Sequence, residues 1–113
     1  MCGIAGLFDP QGLRPYDRAL IARINDVQSH RGPDSDGIHL EPGLALGHRR
    51  LSVIDLATGQ QPLFNHDRSV AIVFNGEIYN FQQLVPELQS LGYRFATRSD
   101  TEVIVHAWQA WGS

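Results

Sequence analysis

At 113 residues, with 42% hydrophobic and 19% charged residues, the chain has the size and composition of one small globular domain. Its net charge is −3 and its nine basic residues are all arginine, scattered without a basic block, so nucleic acid is not an expected partner. No segment approaches the roughly 18 apolar residues of a membrane span, the opening MCGIAGLF lacks the basic region of a signal peptide, and a single cysteine excludes an internal disulfide and suits a reducing cytoplasmic setting.

The apolar run Ile4 to Phe8, ended by Asp9-Pro10 and Gln11-Gly12, predicts a buried strand and a turn. Pro15 stands where a helix can begin, and Leu20, Ile24 and Val27 follow at helical spacing. The helix should stop near Ser29-His30, before the breaker run Arg31-Gly32-Pro33-Asp34. Ile38 to Leu40 and Leu44 to Ile54 read as strands joined by a Pro42-Gly43 turn. Leu56 to Pro62 reads as a loop, and Val70 to Phe74 as a strand covered on both faces.

A second helix is predicted after Asn80, with Gln83 completing a capping box and Phe81, Leu84, Val85, Leu88 and Leu91 as the apolar stripe up to Gly92. Ser99-Asp100-Thr101-Glu102 has the S-x-x-E form of another capping box. The helix that follows carries Val103, Ile104, Ala107, Trp108 and Trp111. Its two tryptophans want a covering layer, so the chain is expected to belong to a larger domain.

Chemistry centres on Cys2. If Met1 is removed, one residue carries both a thiol and an α-amine of ordinary pKa about 7.7–8.0, which can take the thiol proton near neutral pH. The small side chain of Cys2 favours that removal. The competing reading is a small buried hydrophobe.

Other segments carry paired readings. His30-Arg31-Gly32-Pro33-Asp34-Ser35-Asp36-Gly37 is a polar turn on composition. In Gly47-His48-Arg49-Arg50-Leu51-Ser52, an arginine fork suits a carboxylate, but adjacent strand residues face opposite ways, so one arginine at most faces a pocket. Asn75-Gly76 after a strand is a type I′ hairpin signal. Alternatively, the Asn75 amide and the Gly76 N–H converge on one oxyanion. Glu77, and with it Asp100, then suits an ammonium group. The five histidines have no ligand-like spacing and there is no second cysteine, so no metal site is expected.

MCGIAG, HRGPDSDG, GHRRLSVID, GQQPLFN, FNGEIYNF and RSDTEVI occur here in an order that resembles the class II glutamine amidotransferases, and specifically the glutaminase domain of asparagine synthetases. The resemblance covers essentially the whole chain. It implies an α+β fold, the N-terminal-nucleophile hydrolase αββα sandwich, here incomplete. It also implies that residues 1–113 are the N-terminal portion of the glutaminase domain, and that the synthetase domain is absent.

By the same resemblance Cys2 is the nucleophile, Asn75 and Gly76 the oxyanion hole, and Arg50 the holder of the glutamine α-carboxylate. Glu77 and Asp100 meet the α-ammonium, Asn75 also touches substrate, and backbone near Leu51 and Val53 lines the pocket. L-glutamine and the parent chain's synthetase domain are the implied partners, with a homodimer as a further expectation. No cofactor is expected in this chain; ATP and magnesium belong to the absent synthetase domain, and no phosphate-cradling glycine loop occurs here. Two alternatives stay open: an N-terminal-nucleophile amidase acting on another amide, and an inactive fragment or interaction module.

Overall fold

The computed structural model describes residues 2–51 and 60–112. Mixed strands and helices follow one another as β1 (Gly3–Phe8), α1 (Arg18–Val27), β2 (Ser35–Glu41), β3 (Leu44–Arg50), β4 (Leu63–Phe64), β5 (Ala71–Ile72), α2 (Phe81–Ser90) and α3 (Thr101–Trp111). An antiparallel sheet has the order β1-β3-β2, and β4 pairs with β5 separately.

The register aligns Gly3 with Arg49, Ile4 with His48 and Gly37 with His48, so the Cys2 end of β1 lies beside the Arg50 end of β3. Alternation along the strands then divides the sheet into two faces. One face packs on α1, because a side chain at Gly3 would strike Gln28 and one at Gly47 would strike Asn25. The opposite face receives Gln61-Pro62 over Gly37, and the His39 ring meets the Phe64 ring of β4 edge-on at 4.9 Å. Helix α3 packs on β4 and β5, and α2 packs on α3.

Several expected elements shift. The predicted buried strand is an edge strand, with Ile4 47% and Phe8 72% exposed. Helix α1 starts at Arg18 rather than at Pro15, because the Asp17 carboxylate accepts the Ala19 N–H and caps it. Its buried residues are Ile21 and Asn25, whereas Val27 is exposed. Asn25 is buried because its amide donates to the Gly37 carbonyl at 3.1 Å.

The strand expected over Val70 to Phe74 is reduced to Ala71–Ile72, half-buried, because β4 offers only two residues to pair with. Asn80 stands at the N-cap of α2 without a side-chain cap bond, so the expected box with Gln83 does not form. The other end of α2 closes as expected, with Gly92 at φ +99° and the Tyr93 N–H donating to the Leu88 carbonyl. Residues 52–54 of the long predicted strand and 56–59 of the predicted loop lie outside the described residues.

Candidate active site

Cys2 sits just before β1, half-buried, with its Sγ accepting the Leu51 N–H at 3.4 Å and lying 3.9 Å from the Leu51 carbonyl oxygen. Arg31 donates from Nε to the Cys2 carbonyl at 3.3 Å. The run His30 to Gly37, a polar turn on composition, therefore grips the nucleophile candidate. It also folds onto β3. Pro33 bridges Arg50, the Asp34 N–H donates to the Arg50 carbonyl at 3.0 Å, and Arg49 Nε donates to the Gly32 carbonyl at 2.9 Å. A Cβ on Gly32 would overlap the Arg49-Arg50 backbone, so glycine is what permits this approach.

Arg49 and Arg50 alternate as strand neighbours must. Arg49 faces the α1 side, and Arg50 shares the opposite face with His48 and, by extension of the register, with Cys2. Between Ile4 and Gly37 in register, His48 is 1% exposed. Burial lowers its pKa below the ordinary histidine value; the adjacent Phe74 backbone opposes that shift and the Arg50 charge adds to it. Phe74 lies at the sheet face that carries Arg50, because its N–H donates to the Gln61 side chain and the Gln61 backbone rests against Gly37 on that face.

Asn75 and Gly76 follow directly. Neither has a positive φ, so the type I′ turn, which needs two such residues, is not what the Asn-Gly pair makes. The segment runs on through exposed Glu77 to Ile78, whose N–H donates to Asp100 Oδ2 at 2.7 Å. Asp100 thus meets the residue after Glu77 and stands at the N-terminus of α3. Two groups of predicted residues result, Cys2-Arg50-Leu51 and Asn75-Gly76-Glu77-Asp100, linked through Gly37, Gln61 and Phe74. Val53 lies outside the described residues.

Comparison with known proteins gives this arrangement a family. The sequence matches the glutamine amidotransferase domain over residues 1–113. It is 44% identical over 111 residues to asparagine synthetase [glutamine-hydrolyzing] 1 of Bacillus subtilis (strain 168), covering 96% of this chain and 18% of that protein. Asparagine synthetase [glutamine-hydrolyzing] 2 of Oryza sativa subsp. japonica is 40% identical over 112 residues, covering 99% of this chain and 19% of the relative. Asparagine synthetase [glutamine-hydrolyzing] of Zea mays is 38% identical over 112 residues, with the same coverage. The chain belongs to the glutamine amidotransferase domain family. It spans under one fifth of the length of these relatives.

In this amidotransferase domain Glu102 departs from the capping-box role that its S-x-x-E pattern predicts. Ser99 Oγ does accept the Thr101 N–H at 3.2 Å, but Glu102 does not reach back to Ser99. Its carboxylate, 3% exposed, instead accepts the Ala96 N–H at 2.8 Å, the Thr97 N–H and hydroxyl at 2.7 Å each, and His106 Nε2 at 2.9 Å. Tyr93 and Phe95 flank the His106 ring. The bonds tie down the loop that delivers Asp100. The signal available in the sequence was the i, i+4 spacing of Glu102 and His106 on one helix face.

Burial alone raises the Glu102 pKa, but hydrogen bonds from Thr97, His106 and Ala96 outweigh it and hold the carboxyl below the ordinary value. The unfolded chain therefore binds this proton more readily. Its contribution to stability is complete above the unfolded carboxyl pKa of about 4.3 and is lost as pH falls through the lower folded value. Glu102→Gln is expected to lower stability at pH 7 by about 2–3 kcal/mol, because an amide N–H2 then faces other donors. Denaturant titrations from pH 7 to pH 3 should show the gap between parent and variant narrowing on the acid side.

An open groove of about 410 Å³ between β5 and α3 is lined by Val70, Ile72, Ile104, Val105 and Trp108 among others, and contains none of the predicted site residues. Among the described residues no cluster of three or more His, Cys, Asp or Glu is placed to hold a metal ion, and no helix is long and apolar enough to cross a membrane.

Proposed function

We propose that this domain hydrolyses the side-chain amide of glutamine at Cys2, as the glutaminase portion of an asparagine-synthetase-like amidotransferase with the αββα sandwich of N-terminal-nucleophile hydrolases. The observation that carries the reading is the strand register. It sets Cys2 beside Arg50 on one sheet face, and Gln61, resting against Gly37 of that face, accepts the Phe74 N–H just before Asn75-Gly76.

With Met1 removed, the free amine of Cys2 accepts the thiol proton and Sγ attacks the glutamine Cδ carbonyl. The oxygen takes up negative charge and the Asn75 amide and Gly76 N–H stabilise it. The C–N bond breaks, the proton passes to the leaving nitrogen, and ammonia departs from a thioester. Water then attacks the thioester, releasing glutamate and restoring the thiol. Arg50 binds the α-carboxylate, Glu77 and Asp100 bind the α-ammonium, and backbone near Leu51 and Val53 lines the pocket. Use of the ammonia is assigned to a synthetase region, as the relatives' name, asparagine synthetase [glutamine-hydrolyzing], suggests, and ATP and magnesium are assigned to that region as part of the same proposal.

A zwitterion held at both ends should be discriminated from analogues lacking either charge, since a site built for a polar group leaves its own groups unpaired when that group is missing. Glutamine should be hydrolysed at least about 10³-fold faster, in kcat/KM, than glutaramate or 4-aminobutanamide. An ammonia-release assay on the three compounds decides the point. Comparable turnover of all three would instead support an amidase of broader type.

A further inference from the structure

We propose that Gln61 is a positioning residue for this reaction, holding the Phe74–Gly76 segment against the sheet face that carries Cys2, and that it governs kcat rather than glutamine affinity. The proposal rests on the reading of Asn75 and Gly76 as the oxyanion hole.

Strand β5 ends at Ile72, so the Phe74 N–H lies beyond the β4–β5 ladder. The donor is taken by Gln61 Oε1 at 2.5 Å. Because a backbone N–H can only donate, the amide must present its oxygen here, and Nε2 is left to donate to Thr101 Oγ1 at 3.5 Å. Thr101 is 3% exposed and directly follows Asp100, whose Oδ2 holds the Ile78 N–H. One side chain thereby fixes the residue before Asn75 and the residue after Asp100.

The backbone of Gln61 itself lies directly against the main sheet. Its carbonyl oxygen occupies the space that a Cβ at Gly37 would take, and Gly37 pairs with His48, two residues before Arg50 on the same face. Sheet, oxyanion segment and α3 N-terminus therefore meet at Gln61. The reacting atoms need no contact with it. A shift of the segment by about 1 Å would nonetheless cost roughly 10²-fold in rate, because the donors must meet the developing oxyanion.

The test measures glutamine hydrolysis by the natural full-length polypeptide, with the alkylation rate of Cys2 by iodoacetamide as a second readout. Gln61→Leu keeps the volume and removes the acceptor. It should lower kcat about 10²-fold while KM stays within about threefold and alkylation is unchanged. Gln61→Glu keeps the acceptor and should restore kcat to within roughly fivefold of the parent.

A Gln61→Leu kcat within about threefold of the parent overturns the proposal. So does a Gln61→Glu enzyme as slow as Gln61→Leu, or a joint fall of kcat, affinity and alkylation. Should the leucine variant not fold, Gln61→Asn, shorter by one methylene, takes its place: a kcat about tenfold lower supports the proposal and an unchanged one overturns it. Cys2→Ala and Asn75→Ala are run alongside. If either keeps parental kcat, the reading of the site fails; if both lose it and Gln61→Leu does not, the positioning role alone fails.

Discussion

Cys2→Ala is expected to abolish glutamine hydrolysis, lowering kcat at least about 10⁴-fold, the scale on which removal of a covalent nucleophile acts. Alanine is as small as cysteine, so removal of Met1 should continue and the α-amine should still be present. The variant thus separates loss of the sulfur from loss of processing. Folding should be little affected, since the thiol is half-buried and its contacts are with Leu51 backbone atoms at 3.4 and 3.9 Å. Ammonia release, read beside a thermal melt that stays within a few degrees of the parent, checks both halves of the expectation. Retained hydrolysis would move the chemistry away from Cys2.

Arg50→Glu should reduce kcat/KM for glutamine by about 10²–10³-fold, because a carboxylate then faces the substrate carboxylate. Most of the change should appear in KM, since the α-carboxylate is bound equally in ground and transition states. The strand argument gives this substitution a control. Arg49 faces the α1 side and holds the Gly32 carbonyl, so Arg49→Gln should affect stability more than affinity for glutamine. In the Arg50→Glu background 4-aminobutanamide, which has no carboxylate, should lose its disadvantage against glutamine. Equal loss for both compounds would indicate damage to the pocket rather than loss of a carboxylate partner.

The parts that were legible in the sequence are those governed by local rules. The Pro42-Gly43 turn forms between β2 and β3, with Gly43 at φ +83°, and Gly92 closes α2. Strand alternation alone puts Arg49 and Arg50 on opposite faces, as the register has them. Long-range packing was not legible. An exposed Val27 and a buried Asn25 rotate the buried face of α1 away from the expected stripe, with Ile24 still half-buried, as the Asn25 amide bonds the Gly37 carbonyl of β2.

The Val70 to Phe74 run looks like a strand of five residues, yet its partner β4 contributes two, and a run's length says nothing about its partner. The contacts of Gln61 and Glu102 were not legible for a shared reason. Each accepts from backbone N–H groups distant from any pattern it belongs to, Phe74 for one and Ala96 and Thr97 for the other, which sequence patterns do not mark as unpaired. Asn75-Gly76 carried two readings, and the backbone dihedrals exclude the type I′ turn.

The most direct test of nucleophilic catalysis at Cys2 is the intact mass of the natural polypeptide before and after exposure to a glutamine-mimicking diazoketone. The expected result is a chain lacking Met1 that gains one covalent adduct, located on Cys2 and suppressed by excess glutamine. A processed chain that gains no adduct, or an adduct elsewhere that glutamine does not suppress, would contradict the assignment of Cys2 as the glutaminase nucleophile.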